Sequence, residues 1–161
     1  MNRRSLLLAL AGALPGLTLA EAMHPAAAPG GMLRIAATWR GPREADPYFI
    51  GMLGFDSAAR TLRVLWRQQL PGRAHGLTRL ADGSLAVVAV RPGRWLHCYS
   101  AEGIPLRRVE LADSAPRHFT GHAVASLDGR LLLTGETEAG EDRGFIGVRD
   151  ASTLEEVAAW P

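Results

Sequence analysis

The chain has 161 residues, with 18 arginines and no lysine, 16 acidic residues, five histidines and one cysteine, for a formal net charge of +2. At 47% apolar and 21% charged it has the composition of one core-forming domain, which excludes a disordered or collagen-like chain. The lone Cys98 excludes an internal disulfide, a zinc ribbon and a CxxC redox pair. The pI of about 9.3 has a local cause: without lysine, little titrates between histidine and arginine, so a small positive charge persists to high pH. The basic residues are scattered rather than gathered into a stripe, so no nucleic-acid partner is expected.

Residues 1–22 read as an export signal. Arg3 and Arg4 precede an uncharged apolar run from Leu6 to Leu14, and Ala20-Glu21-Ala22 places small residues where a signal peptidase reads them. The adjacent arginines suggest the twin-arginine route, with the Sec route and an uncleaved anchor as alternatives. Cleavage after Ala22 would leave 139 residues, located in the periplasm, with no stable membrane insertion. Residues 23–32, rich in Pro, Ala and Gly, then form a linker.

The rest reads as short strands. Leu33, Ile35, Ala37 and Trp39 alternate with Arg34, Ala36, Thr38 and Arg40, a period of two that predicts one apolar strand face. Tyr48 to Phe55 is a nearly continuous apolar run, suited to a strand buried on both faces. Leu62, Val64 and Trp66 alternate with Arg63 and Arg67. Gly, Pro or Asp-Gly interrupts every window before three helical turns can accumulate.

The pattern repeats. A strand, an Asp-Gly turn at Asp82-Gly83 and three further strands are answered by the same order around Asp128-Gly129. The 46-residue offset from Gly83 to Gly129 fits a propeller blade. The expected fold is therefore all-β, with four-stranded antiparallel blades of β-propeller type over residues 33–71, 73–111 and 118–161. The first blade lacks its inner strand, because no strand and Asp-Gly turn precede Leu33. Three blades are fewer than a closed ring needs, so open edges and faces make self-association of this partial propeller an expectation.

Several segments carry a family resemblance. Arg73-Ala74-His75-Gly76, Val87 to Arg94, the run from Arg117 to Arg130 and Gly144 to Ala151 together resemble domain-of-unknown-function family 1513. The resemblance spans essentially the whole mature chain but corresponds to the N-terminal half of such a protein. It implies an exported bacterial protein, typically with a twin-arginine signal and predicted to be a seven-bladed propeller. Its members are often encoded beside imelysin-like and other periplasmic iron-uptake proteins, which implies a metal-uptake setting and no known reaction; a periplasmic protein partner is an expectation beside it. Ala123 and Gly135-Glu136-Thr137 depart from the family pattern, which has Gly after the Gly-His pair and Thr-Glu-Asn after the next strand.

The candidate contact residues lie near the inner strands. His75 and His122 occupy nearly equivalent places before the two Asp-Gly turns, on the rim of a propeller channel. Neutral imidazoles there could bind a metal ion, with Glu136 or Glu138 adding an oxygen ligand; the alternative is that each histidine caps a turn. Arg73, Arg91 and Arg117 lie near the same strand ends. They would hold a carboxylate or phosphate, unless arginine is simply the one cation this chain uses. His97 shares a strand face with Trp95 and Tyr99, opposite Cys98, which is expected to be a buried apolar filler.

No GxSxG, HExxH, Walker, Rossmann or EF-hand motif is present, so no catalytic residue and no cofactor beyond a metal ion are expected. The leading function is a periplasmic binding or scaffold protein linked to iron or other metal uptake. One alternative is a propeller oxidoreductase needing quinone or haem, although no CxxCH attaches haem. Another is a truncated product of a longer propeller gene.

Overall fold

The computed structural model describes residues 31–141 and 143–161. The signal expected over 1–22, with Arg3, Arg4, Ala20 and Ala22, lies outside the described residues, as does the linker up to residue 30. The first sheet contains β1 (Met32–Arg40), β2 (Tyr48–Asp56) and β3 (Thr61–Leu70). The second contains β4 (Ala74–Arg79), β5 (Leu85–Ala89), β6 (Trp95–Tyr99) and β7 (Pro105–Glu110). The third contains β8 (Arg117–Ala125), β9 (Leu131–Glu138), β10 (Gly144–Asp150) and β11 (Glu156–Trp160). Each is an antiparallel meander with its strands in chain order. The chain is all-β, with blade-like sheets of propeller type, and among the described residues no strand pairs with the free edge of β1.

The middle blade holds the stack together. β5 is buried at every position, which an alternating strand achieves only when both sheet faces are covered. Leu85, Val87 and Ala89 join Ile50, Met52 and Leu70 of the first sheet in one core. Ala86 and Val88 point the other way, into a core with Phe119 and Leu132 of the third. β6 divides likewise: Trp95 and Tyr99 enter the first core, Leu96 and Cys98 the second. Burying one such large side chain stabilises by roughly 1.5–3 kcal/mol, so these two layers hold the three sheets together.

Two strands differ from the sequence expectation in which face they bury. β1 alternates as expected, but Leu33 and Ile35 are 52% and 38% exposed, while Ala36 packs on the first core. By alternation, Arg34, Ala36, Thr38 and Arg40 form the face turned toward the second sheet. In β3 a bulge at Leu65 breaks the expected Leu62-Val64-Trp66 stripe. One extra residue reverses the alternation, so Leu62 and Val64 face out while Trp66 turns in and donates from Nε1 to the Ala101 carbonyl at 2.8 Å.

The Asp-Gly turns use a longer hairpin than a two-residue loop. The Gly83 amide donates to the Leu80 carbonyl with Gly83 at φ +83°, and Asp82 keeps a negative φ. That is a type I turn closed by a left-handed glycine. Asp82 Oδ1 accepts from the Ser84 amide at 2.9 Å and the Ser84 hydroxyl at 2.5 Å. Asp128 accepts from the Ser126 hydroxyl at 2.6 Å and the Arg130 amide at 3.1 Å.

These hydrogen bonds lower the carboxyl pKa. The Ser84 hydroxyl lowers that of Asp82, the Ser126 hydroxyl that of Asp128, and the Ser152 hydroxyl that of Asp150, all below the ordinary 3.8. A pKa depressed in the folded state contributes stability that is present above the unfolded value and is lost as pH falls through the folded one. Carboxyl carbon NMR should therefore place all three midpoints below 3.8, with turn amides losing exchange protection only as the pH falls below that value. Midpoints at 3.8 or above would contradict the turn geometry.

Candidate binding site at the inner strands

The inner strands β4 and β8 pack side by side, and each carries a bulge where its histidine lies. In β4, Ala74 pairs with Ala89 and Gly76 with Val88, which leaves His75 as the extra residue. In β8 the register shifts between Phe119 and Ala123, a stretch that contains Thr120, Gly121 and His122. Bulges interrupt a ladder and re-aim side chains.

Two glycines allow the contact. A Cβ on Gly76 would overlap the Gly121 carbonyl oxygen, and a Cβ on Gly121, at φ +100°, would lie 2.7 Å from the His75 Cβ. With neither side chain present, the imidazoles of His75 and His122 meet edge to face, 5.0 Å between centroids at 86°. Thr78 Oγ1 donates to the Ala123 carbonyl at 3.1 Å, which clamps the same two strands. Reciprocal amide-carbonyl bonds of 2.8 Å between Gly93 and Phe119 fix a second point between the two blades.

The surroundings of the two histidines differ. His75 and Arg73 line a polar cavity of about 310 Å³ with Arg40 and Tyr48 of the first blade. His122 borders an apolar hollow of about 620 Å³ lined by Leu77 of the second blade and by Leu133, Ile146 and Trp160 of the third. Among the described residues no group of three or more His, Cys, Asp or Glu side chains is placed to hold a metal ion. The histidine pair could therefore contribute two ligands, with the remaining positions filled from outside the cluster.

Arg117 and Glu136 belong to a different arrangement. The Glu136 side chain is 2% exposed, with Arg117 Nη1 3.0 Å from one carboxylate oxygen and Arg149 Nη2 donating to the other at 2.9 Å. Thr134 Oγ1 also donates to Glu136 at 2.9 Å, and both arginines reach Glu156, at 2.5 and 3.2 Å. The Arg149 guanidinium lies over the Phe119 ring. Two cations and two anions thus close a charge-balanced network on the third sheet, buried at Glu136 and Arg149 and part-exposed at Arg117 and Glu156.

The other candidates lie apart. Arg91 borders a small cavity with His118 and Glu138, and Glu138 pairs with Arg143 at 2.7 Å. Burial, then the positive charges of Arg91 and Arg94, lowers the His118 pKa and favours the neutral ring. Arg73, Arg91 and Arg117 therefore occupy three separate places and do not converge on one anion. His97 bonds to Glu110 at 2.6 Å and to the Tyr99 hydroxyl at 3.3 Å. Buried Cys98 lies 3.4 Å from Arg107 Nη2.

Residues 68–161, 94 of the 161, match the family described as protein of unknown function (DUF1513). The chain belongs to that family. The match takes in β4 to β11, and with them both site histidines and the ion network, while most of the first sheet lies outside it. No curated protein matches the chain.

Arg149 and Glu156 were not among the residues singled out in the sequence. Their one available signal is the alternation that puts Thr134 and Glu136 on a single strand face, since a buried carboxylate requires a cation opposite. Replacing Glu136 with Ala leaves buried Arg149 and part-buried Arg117 with only the part-exposed Glu156 and is expected to cost about 3–5 kcal/mol in urea unfolding. Glu138→Ala breaks an exposed pair and should cost under about 1 kcal/mol. Equal losses in the two variants would contradict the structural role of the network.

Proposed function

We propose that this protein is an exported periplasmic binding or scaffold module of the metal-uptake setting that the family resemblance implies. His75 and His122 form its contact pair for a divalent ion. The observation that carries the reading is two exposed imidazoles held edge to face, 5.0 Å apart, by strands that only glycine lets approach. Imidazole suits copper, iron and zinc alike. Two protein ligands leave coordination positions open, as suits an ion that is handed on rather than stored. Titration calorimetry with copper(II) and with iron(II) should show binding that His75→Ala and His122→Ala each abolish while the unfolding midpoint is unchanged. No heat, or equal heat from the variants, would remove the metal reading.

Export rests on the paired arginines, the apolar run and the small residues of the first 22 positions. Fractionation should recover the processed chain in the periplasm and, when Arg3 and Arg4 are both changed to Lys, the unprocessed chain in the cytoplasm. Wild-type protein confined to the cytoplasm would contradict it.

A further inference from the structure

The polar cavity of about 310 Å³ beside His75 carries charge of one sign. Arg40 and Arg73 line it together with His75, and among the described residues no carboxylate does. Neither arginine forms an ion pair among those residues, whereas Arg107, Arg117, Arg143 and Arg149 all do. Of the two acids in the turn between β1 and β2, Asp46 is bonded to the Arg43 amide and guanidinium at 2.9 and 3.0 Å, and neither it nor Glu44 lines the cavity.

The places of these groups are set within the first two sheets. Arg40 and Tyr48 are register partners in the β1–β2 ladder. The Val90 amide donates to the Arg73 carbonyl at 3.0 Å, next to the pairing of Ala74 with Ala89. Arg40, Tyr48 and Arg73 therefore hold these positions whatever strand lies along the other edge of β1.

This charge pattern bears on the histidine pair. Two neutral imidazoles can ligate a divalent ion, but two guanidiniums at the same cavity repel it, and no carboxylate among the lining residues offsets its charge. An ion bound here is favoured when an anion arrives with it. His75 and His122 also fill only two of the four positions that zinc takes, which leaves two for oxygen. The guanidinium fork is matched to a carboxylate. Half-buried Tyr48 lines the same cavity, and its hydroxyl, without a protein partner among the described residues, adds a donor.

We propose that the site takes its ion as a complex with a small dicarboxylate, which Arg40, Arg73 and Tyr48 hold against the metal. This inference rests on the metal reading of His75 and His122 and names the form in which the ion is bound. Each carboxylate gives one oxygen to the ion, and the remaining oxygens accept hydrogen bonds from the guanidiniums and the phenol. The dianion cancels the charge of a divalent ion and presents oxygen, rather than metal, to the arginines. A cavity of about 310 Å³ has room for a small organic acid.

The probe is malonate, titrated by calorimetry into the full chain with and without saturating zinc. Malonate should bind the zinc-loaded protein about tenfold or more tightly than the zinc-free protein, and by linkage should raise zinc affinity by the same factor. The combined Arg40→Gln and Arg73→Gln change should weaken malonate binding to the zinc-loaded protein by about tenfold or more. The same variant should keep or raise its zinc affinity in chloride buffer, because two repelling charges are gone, and should unfold at the wild-type midpoint. Zinc that binds while malonate leaves its affinity unchanged, or malonate bound equally by the double variant, would overturn this inference and leave the metal reading standing. Zinc that fails to bind with or without malonate would overturn both.

Discussion

The close approach of two inner strands governs the rest of this structure. Gly76 and Gly121 face each other where β4 meets β8, and any side chain at either place would occupy space already filled by backbone or by His75. Below that contact lies the core formed by Val88, Leu96, Phe119 and Leu132, all fully buried. Above it, the same approach sets the two imidazoles edge to face. A spacer between the strands would loosen the apolar layer and part the histidines together. Packing and the candidate site therefore depend on the same pair of glycines.

Charge is divided between two roles. Burying an ion is costly unless it is paired and hydrogen-bonded, so Arg149 enters the interior only with Glu136, and Arg117 and Glu156 complete the pairing at its margin. Arg34, Arg40, Arg73 and Arg79 are exposed and form no ion pair among the described residues, with Arg34 donating instead to the Ala101 carbonyl at 3.1 Å. The net charge of +2 conceals this division, because nearly equal numbers of acids and bases can still pair some arginines in the third sheet and leave others exposed without a carboxylate partner. Arginine alone supplies both sets, and its planar fork suits the two-oxygen geometry of a paired carboxylate.

Much of the fold was legible because strand period and turn chemistry are local. The alternation in β1, the run in β2 and two Asp-Gly turns set 46 residues apart were enough to read blades and to see that the first lacks an inner strand. Which face of β1 turns inward was not legible, since either face can be buried until the second sheet is in place. The bulge at Leu65 was hidden for a related reason: a one-residue insertion leaves no mark in composition. His75 and His122 could be set at equivalent places by counting back from the turns, yet their contact depends on bulges in both strands. The partners of Glu136 were least legible of all. Its register neighbours are Phe119 and Phe145, and the arginines reach it from two residues along β8 and four along β10.

The central claim is that the glycine contact makes His75 and His122 one site. Proton NMR on protein with labelled histidine rings tests it directly, through cross-relaxation between the two imidazoles and their response to added zinc. The account predicts a cross-peak between the His75 and His122 ring protons and a joint shift of both, while His97 and His118 stay in place. No cross-peak, or two rings that respond separately, would contradict it.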